Sequence, residues 1–241
     1  MKIIKLDAID STNSFLKKKM NNQEIDDFTI VYSQNQFQGR GRTTKEWISD
    51  PNKNIAFSLF KIFKRPELEH LFLLNAVVSV SVLELLKKYN VRDACVKWPN
   101  DLMIKNKKVS GILIENTIKK NNLIYSVIGI GINVNQEKFP DLLCATSIIN
   151  ETGIAVEIDS LVTELTKIIS SNFKFLESNS NFFLDQYNNK LYNKNQTVVF
   201  KNNIGKKKVG KIVKVDLSGN LMIINEKGKI EYFKENEIIF N

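Results

Sequence analysis

With 241 residues, 43% of them hydrophobic, the chain is long enough for one large domain, or for one domain and a small one. It contains no run of about 18 apolar residues and no apolar segment near its N-terminus, so we expect neither a transmembrane helix nor a secretory signal. The net charge of +9 suits a nucleic acid, an acidic partner or an anionic substrate. Because the lysines are spread over most of the chain, we favour a general bias toward lysine in the composition as the cause of this net charge.

Cysteine and histidine are scarce. One histidine and two cysteines cannot build a metal site from nitrogen and sulfur ligands, although a Mg²⁺ ion held by carboxylates stays open. Cys95 and Cys144 both have small or apolar neighbours, which favours two half-buried free thiols over a disulfide. We therefore expect a cytoplasmic protein.

The first part of the chain mixes strands and helices. Residues 1–10 predict a strand, and Ser11-Thr12-Asn13 predicts the N-cap of a helix ending near Met20, because short polar side chains accept hydrogen bonds from free backbone N–H groups. Residues 34–47 are polar and too irregular for a regular element, and Asn106-Lys107 predicts a hairpin turn. Further strands are predicted at 28–33, 54–60, 94–98, 102–104, 109–115 and 123–132, and helices at 66–89, 160–176 and 182–191.

The pattern changes near Asn193. Short strands separated by tight turns follow it, and such regular spacing is typical of a small β-barrel. We therefore predict an α+β domain over residues 1–192 and a barrel over residues 193–241. The strands of the barrel are predicted at 197–201, 208–216, 221–225 and 229–233.

Two glycines and two arginines alternate in Gly39-Arg40-Gly41-Arg42, and Trp47 follows shortly after. Glycines allow a backbone to approach a ligand closely, and arginines offer forked donors for carboxylate or phosphate groups. An exposed basic turn is the alternative. Trp47 could cover a ring or fill the core, and together with the flanking strands it favours an ordered loop.

A second cluster runs through Lys97-Trp98-Pro99-Asn100-Asp101 and on to Lys108 and Gly111. The predicted strand delivers Lys97, and Pro99 enforces a turn. Lys108 stands just before an apolar strand, so its ammonium group could be held toward a pocket. Gly111 would let a ligand lie against that strand. A single surface lysine would mean little, but the whole cluster is hard to explain by chance.

Glycines also interrupt an apolar strand in Gly129-Ile130-Gly131-Ile132-Asn133. The third glycine of a dinucleotide-binding loop is missing and the strand runs on, so we reject that interpretation. Glycine within a strand marks a bulge or a close approach of backbone, and Asn133 could contact a base or a ribose.

Neutral polar side chains form a fourth group, which consists of Ser11-Thr12-Asn13 and Gln36. Their donors and acceptors suit an uncharged polar ring such as a urea. The triplet alone is more often only a helix cap.

Together the four groups resemble the biotin–protein ligase family. Ser-Thr-Asn, Gln-x-x-Gly-Arg-Gly-Arg, Lys-Trp-Pro-Asn-Asp, Lys-x-x-Gly-Ile-Leu-x-Glu and Gly-x-Gly-x-Asn occur in the family's order. The resemblance implies a mixed or antiparallel sheet with packed helices, similar to class II aminoacyl-tRNA synthetases, and a small C-terminal SH3-like β-barrel. It implies a ligase that converts biotin and ATP to biotinyl-5'-AMP with Mg²⁺. The acceptor would be a lysine of a biotin carboxyl carrier protein.

The resemblance also implies roles for individual residues. Arg40, Arg42 and Lys108 would be catalytic, with the arginine loop ordering over biotin and retaining the adenylate. Thr43-Thr44-Lys45 stands where many relatives have further arginines. Lys45 would offer the triphosphate a point charge in place of the forked donors of an arginine. The biotin-binding residues would be Ser11, Thr12, Asn13, Gln36, Gly39, Arg40, Gly41, Arg42, Lys108 and Gly111. The residues that bind ATP or the adenylate would be Trp47, Lys97, Asn100, Asp101, Lys108 and Asn133, with Asp101 as a candidate contact for Mg²⁺.

The sequence also bears on other partners and on alternative functions. No DNA-binding module precedes the first strand, so we expect no DNA partner and no repressor role, and no membrane partner. A homodimer stays open. A lipoate–protein ligase is the nearest alternative function, and a basic nucleic-acid-binding protein is the alternative of another class.

Overall fold

The computed structural model describes residues 2–22, 25–42, 45–63, 71–119, 122–140 and 144–240. The predicted helix start at Pro66 and the pair Thr43-Thr44 lie outside these residues. Two sheets and five helices are present in the described part of the chain.

The larger sheet has seven strands in the order β1-β2-β3-β7-β6-β5-β4. β1 and β2 pair in parallel, and every other neighbouring pair is antiparallel. The predicted α+β class with a mixed sheet is therefore confirmed. The strands are β1 (Lys2–Leu6), β2 (Thr29–Ser33), β3 (Asn54–Ile62), β4 (Ala94–Lys97), β5 (Asp101–Ile104), β6 (Lys107–Lys119) and β7 (Asn122–Asn133).

Helices cover this sheet and carry much of the core. The helices are α1 (Thr12–Asn22), α2 (Leu71–Lys88), α3 (Ile148–Thr152), α4 (Ile158–Leu176) and α5 (Ser180–Asn189). α2 is apolar on nearly all sides and is buried between the sheet, α4 and α5, as a helix without a polar face must be. Despite this apolar character, none of the described helices has the length and hydropathy that crossing a membrane requires.

Two local predictions were wrong. The hairpin turn is Lys105-Asn106, one residue earlier than predicted, because Lys105 adopts φ 54° and Ile104 pairs with Lys107. Helix α3 was missed because it has only five residues. Its caps were visible in the sequence: Ser147 Oγ accepts a hydrogen bond from the Asn150 N–H, and Gly153 ends the helix at φ 72°.

The smaller sheet is antiparallel and has the strand order β11-β10-β9-β8-β12. Its strands are β8 (Thr197–Asn202), β9 (Lys207–Val215), β10 (Leu221–Asn225), β11 (Ile230–Phe233) and β12 (Ile238–Phe240). β12 was not predicted. Among the described residues β11 does not pair with β12, so the sheet does not close, and the predicted barrel is confirmed only as a small antiparallel sheet.

Specific contacts fix the smaller sheet against the larger one. Trp98 Nε1 donates to the Gly219 carbonyl at 2.9 Å. The Asn188 amide donates to the Val215 carbonyl at 2.9 Å and accepts from the Val215 N–H at 2.7 Å. One hydrophobic core includes residues of both sheets. The smaller sheet, which includes β12, is therefore held against the larger sheet and its helices by hydrogen bonds and a shared core.

The two cysteines are free, as predicted, and they should differ in reactivity. Cys144 is exposed and not half-buried as predicted, because it lies outside the packed sheet, whereas burial raises the pKa of the half-buried Cys95 to about 11. Since the thiolate is the nucleophile, about one Cys95 in a thousand is reactive at pH 8. Mass spectrometry after brief iodoacetamide treatment should show at least about tenfold faster labelling of Cys144. Equal labelling of the two in the native protein would contradict this.

Candidate active site

A cavity of about 610 Å³ opens between the larger sheet, the loop of residues 39–42 and β12. Most of the side chains that the sequence singled out come together here, although they come from distant parts of the chain. Those lining the cavity are Ser11, Thr12, Asn13, Gln36, Arg40, Gly41, Arg42, Trp47, Lys97, Asn100, Asp101, Lys108 and Gly111.

Two predicted site residues do not line the cavity. Gly39 is buried, and a Cβ added there would overlap the Trp47 carbonyl, so this glycine lets the loop pack on itself. Its carbonyl accepts from the Trp47 N–H at 2.8 Å. Asn133 is 4% exposed and donates through Nδ2 to the Thr146 carbonyl at 2.9 Å. Asn133 therefore ties the end of β7 to the segment before α3.

Neutral polar groups are held together at the start of α1. The Thr12 N–H and hydroxyl donate to Gln36 Oε1 at 3.0 and 3.3 Å. Ser58 Oγ donates to Asn13 Oδ1 at 2.5 Å and lies 2.7 Å from Thr12 Oγ1. Ser11 Oγ accepts from the Ser14 N–H at 3.4 Å and so caps the helix. These side chains are fixed by one another before any ligand enters.

Three cations of the cavity are each paired with a carboxylate. They extend into the cavity with side chains 35–43% exposed, which leaves them accessible to an anionic ligand. Each carboxylate holds its cation in place, and the two that line the cavity, Asp101 and Glu235, would be exchanged or shared when such a ligand arrives. The pairs are Lys108 Nζ with Asp101 Oδ1 at 2.6 Å, Arg40 Nη2 with Glu115 Oε2 at 2.7 Å, and Arg42 with Glu235.

Glycines of β6 and β7 make room for the indole of Trp47. A Cβ at Gly131 would overlap this ring, and a Cβ at Gly111 would lie 3.3 Å from it and 2.9 Å from Lys108 Nζ. Lys108 Nζ lies 5.6 Å from the ring centroid, within the range of a cation–π interaction. Trp47 Nε1 is buried and has no hydrogen-bond partner within the described residues. Flat backbone, aromatic ring and cation therefore share one wall of the cavity.

Two shifted pKa values reflect these surroundings. Burial would raise the pKa of Glu115, but hydrogen bonds from Lys17 and Asn13 and the charge of Arg40 outweigh it and hold the pKa below its usual range. Burial lowers the pKa of Arg42, against the opposing charge of Asp101. Arginine keeps its charge at neutral pH even so. The cavity is therefore a cationic site at neutral pH.

Residues 6–133, more than half of the chain, match the model of the biotin/lipoate A/B protein ligase family. The chain belongs to the biotin/lipoate A/B protein ligase family. The resemblance predicted from the four motif groups is thereby confirmed. The matched segment contains every predicted site residue.

Two relatives are similar to this chain over more than half of its length. The bifunctional ligase/repressor BirA of Escherichia coli is 31% identical over 152 residues, which cover 63% of this chain and 45% of that protein. The biotin–[acetyl-CoA-carboxylase] ligase of Paracoccus denitrificans is 31% identical over 140 residues, which cover 53% and 55%. The chain thus spans about half the length of these relatives.

A solved structure extends the similarity to the C-terminal sheet. The biotin protein ligase of Aquifex aeolicus, in complex with biotin and ATP, superposes with a TM-score of 0.81 at 29% identity. The superposition covers 100% of this chain and 98% of that one. The fold is therefore a biotin protein ligase fold over its whole length.

Sequence reasoning missed the contribution of the C-terminal segment to this cavity. Glu235 and the β12 residues Ile238, Ile239 and Phe240 line it, although they follow the last of the four motif groups by more than a hundred positions. No motif pointed to them, since a strand of three residues has little pattern. Among the described residues no group of three or more His, Cys, Asp and Glu is placed to hold a metal ion.

Proposed function

We propose that this chain activates biotin with ATP to biotinyl-5'-AMP and transfers the biotin to a lysine of a biotin carboxyl carrier protein in the cytoplasm. One observation carries the proposal: neutral polar side chains and the cations Arg40, Arg42 and Lys108 line the same cavity. Such a cavity suits a ligand that has an uncharged polar ring and a carboxylate, with a second anionic ligand bound beside that carboxylate. Family membership and the biotin and ATP bound to the Aquifex relative support it.

Within this proposal the polar groups at the start of α1 hold the fused ring of biotin. Thr12 and Gln36 are already hydrogen-bonded to each other, so little rearrangement is needed to exchange one of these bonds for a bond to the ureido group. Biotin-binding roles are assigned to Ser11, Thr12, Asn13, Gln36, Gly39, Arg40, Gly41, Arg42, Lys108 and Gly111. Gly39 acts only through the packing of the loop, because it does not line the cavity.

The nucleotide lies on the wall made by Trp47 and the glycines. The proposed contacts to ATP or the adenylate are Trp47, Lys97, Asn100, Asp101, Lys108 and Asn133. Asn133 can act only by holding the segment of Thr146, given its buried hydrogen bond. Asp101 is already paired with Lys108, so Mg²⁺ would arrive with the phosphates of ATP, and Asp101 is the protein group proposed to contact it.

The chemistry follows from charge. An oxygen of the biotin carboxylate attacks the α-phosphorus of ATP, the bond from that phosphorus to the bridging oxygen breaks, and pyrophosphate leaves. Both reactants are anionic, so their approach is repulsive unless fixed cations neutralise the charge that concentrates between them. The acceptor amine then attacks the acyl carbon, the bond to the phosphate oxygen breaks, and AMP leaves. This sequence needs no covalent enzyme intermediate.

Residues 1–192 would form the catalytic domain, with a fold similar to class II aminoacyl-tRNA synthetases, and residues 193–241 an SH3-like unit. The five antiparallel strands of the smaller sheet support the second assignment. Its position supports a role in closing the cavity, since β12 lines one side.

Mass spectrometry of a purified carrier domain tests the proposal. Enzyme, carrier and MgATP are incubated with biotin or, in a parallel reaction, with lipoate. We expect the mass of one biotinyl group on a single carrier lysine, and at least about a hundredfold less product with lipoate, since a site built for a polar ring disfavours an apolar one. Modification by lipoate alone would replace this function with lipoylation, and no modification by either would contradict it.

Arg42→Gly should weaken retention of the adenylate. This substitution removes the pair with Glu235 and frees the loop at the cavity mouth. Purified enzyme incubated with biotin, ATP and a bystander protein should then label bystander lysines at least about tenfold more than wild type does. Lys53→Gly, at an exposed position away from the cavity, is the control. If labelling stays confined to the carrier, the loop does not retain the adenylate.

A further inference from the structure

Glu115 of β6 is the centre of a polar cluster behind the loop of residues 39–42. Its Oε2 accepts from Arg40 Nη2 at 2.7 Å and from Asn13 Nδ2 at 2.9 Å, and its Oε1 accepts from Lys17 Nζ at 2.6 Å. The side chain is 18% exposed. Both oxygens are therefore occupied, and the carboxylate has little freedom to rotate.

The position of Glu115 separates it from the other two acids that pair with cations of the site. Asp101 and Glu235 line the cavity, so a ligand can displace them, whereas Glu115 does not line it. Arg40 has five N–H donors, and the bond to Glu115 uses Nη2. Arg40 itself lines the cavity, so its remaining donors can serve a ligand there. Glu115 thus holds Arg40 from behind without competing for the same ligand.

The same carboxylate also reaches the neutral polar end of the cavity. Asn13 donates to Glu115 and accepts from Ser58, whose hydroxyl lies beside Thr12, and Thr12 donates to Gln36. A continuous chain of close polar contacts therefore joins the arginine loop to the groups at the start of α1. Buried polar networks of this kind are cooperative, because each bond orients the next.

We propose that Glu115 is a positioning residue: it orders Arg40 and Asn13 together and so holds the arginine loop in place beside the polar end of the cavity. The inference rests on the proposed function for the identity of the ligand, biotin, but not for the ordering of the loop. Glu115 touches no substrate in this account and acts through Arg40 and Asn13.

Hydrogen exchange without any substrate tests the ordering directly. The loop is closed by backbone bonds that protect three of its amides: Gly41 N to Lys45 O at 2.7 Å, Lys45 N to Arg42 O at 3.1 Å and Trp47 N to Gly39 O at 2.8 Å. In Glu115→Gln these amides should exchange at least about tenfold faster than in wild type. Glu164→Gln is the matched control, because Glu164 pairs with Lys88 between two helices far from the loop in sequence.

Glu115→Asp, which keeps the negative charge, provides the comparison for the exchange rates of Glu115→Gln. Glu115→Asp should return exchange part of the way to wild type, and Arg40→Gln should reproduce the effect of Glu115→Gln. If the melting temperature of Glu115→Gln lies far below that of wild type, its faster exchange could reflect unfolding, and the exchange rates of Arg40→Gln alone then test the proposal. Wild-type exchange at the three amides in a folded Glu115→Gln or Arg40→Gln protein would overturn the proposal.

Kinetics then separate positioning from mere stability. With biotin and ATP, Glu115→Gln should raise the KM for biotin about tenfold. The double variant Glu115→Gln/Arg40→Gln should have a KM no higher than that of the more impaired single variant. Additive losses would overturn the coupling to Arg40. Should wild type itself fail to use biotin, the proposed function falls, while the exchange experiment still judges Glu115.

Discussion

Lys108→Ala should lower the rate of adenylate formation by about a hundred- to a thousandfold, as the loss of a preorganised donor at developing charge does in other enzymes. Lys108 Nζ is fixed by Asp101 Oδ1 at 2.6 Å and lies over the Trp47 ring, so its charge is already aimed into the cavity. Alanine leaves β6 intact but removes that charge. Pyrophosphate release in the presence of biotin and ATP measures the effect.

Lys107→Ala is the matched control for this experiment. Lys107 precedes Lys108 on the same strand, is exposed and does not line the cavity. Its removal should leave pyrophosphate release within about twofold of wild type. If Lys108→Ala retained more than a tenth of the wild-type rate with an unchanged melting temperature, Lys108 would have no catalytic role.

Gly131→Val should weaken binding of a non-hydrolysable biotinyl-adenylate analogue by about a hundredfold, a loss of roughly 2.7 kcal/mol. The new side chain would overlap the indole of Trp47, which must then leave the cavity wall. Titration calorimetry measures the affinity. Thr117→Val, on the neighbouring strand and away from the cavity, introduces the same side chain as a control. Affinities within threefold of wild type would show that Trp47 does not form the nucleotide wall.

Local patterns predicted most of the larger sheet and its helices. Alternation and run length suffice for β3, and the apolar face of Leu161, Leu165 and Ile169 suffices for α4, since these signals arise from residues close in sequence. The cavity was predictable for a different reason. Arg40, Lys97 and Lys108 were singled out by their neighbours in short motifs, and the motif order led to the family and thus to one shared site.

Contacts made across the chain were not predictable. The partner of Arg42 is Glu235, 193 positions away, and no local pattern links the two. The strand β12 is three residues long, and only its pairing with β8 defines it. Asn133 looked like a ligand contact because a polar residue ends an apolar strand, but its partner Thr146 belongs to a segment whose path the sequence does not reveal. Tertiary packing decides each of these cases.

Exchange of labelled pyrophosphate into ATP is the most direct measurement of whether this cavity joins a carboxylate to ATP. It needs only the enzyme, MgATP, pyrophosphate and biotin, and it reports the reversal of the activation step without any acceptor protein. Incorporation of label into ATP that depends on biotin is the expected result. Absence of exchange in a folded enzyme, or the same exchange with biotin omitted, would contradict the account.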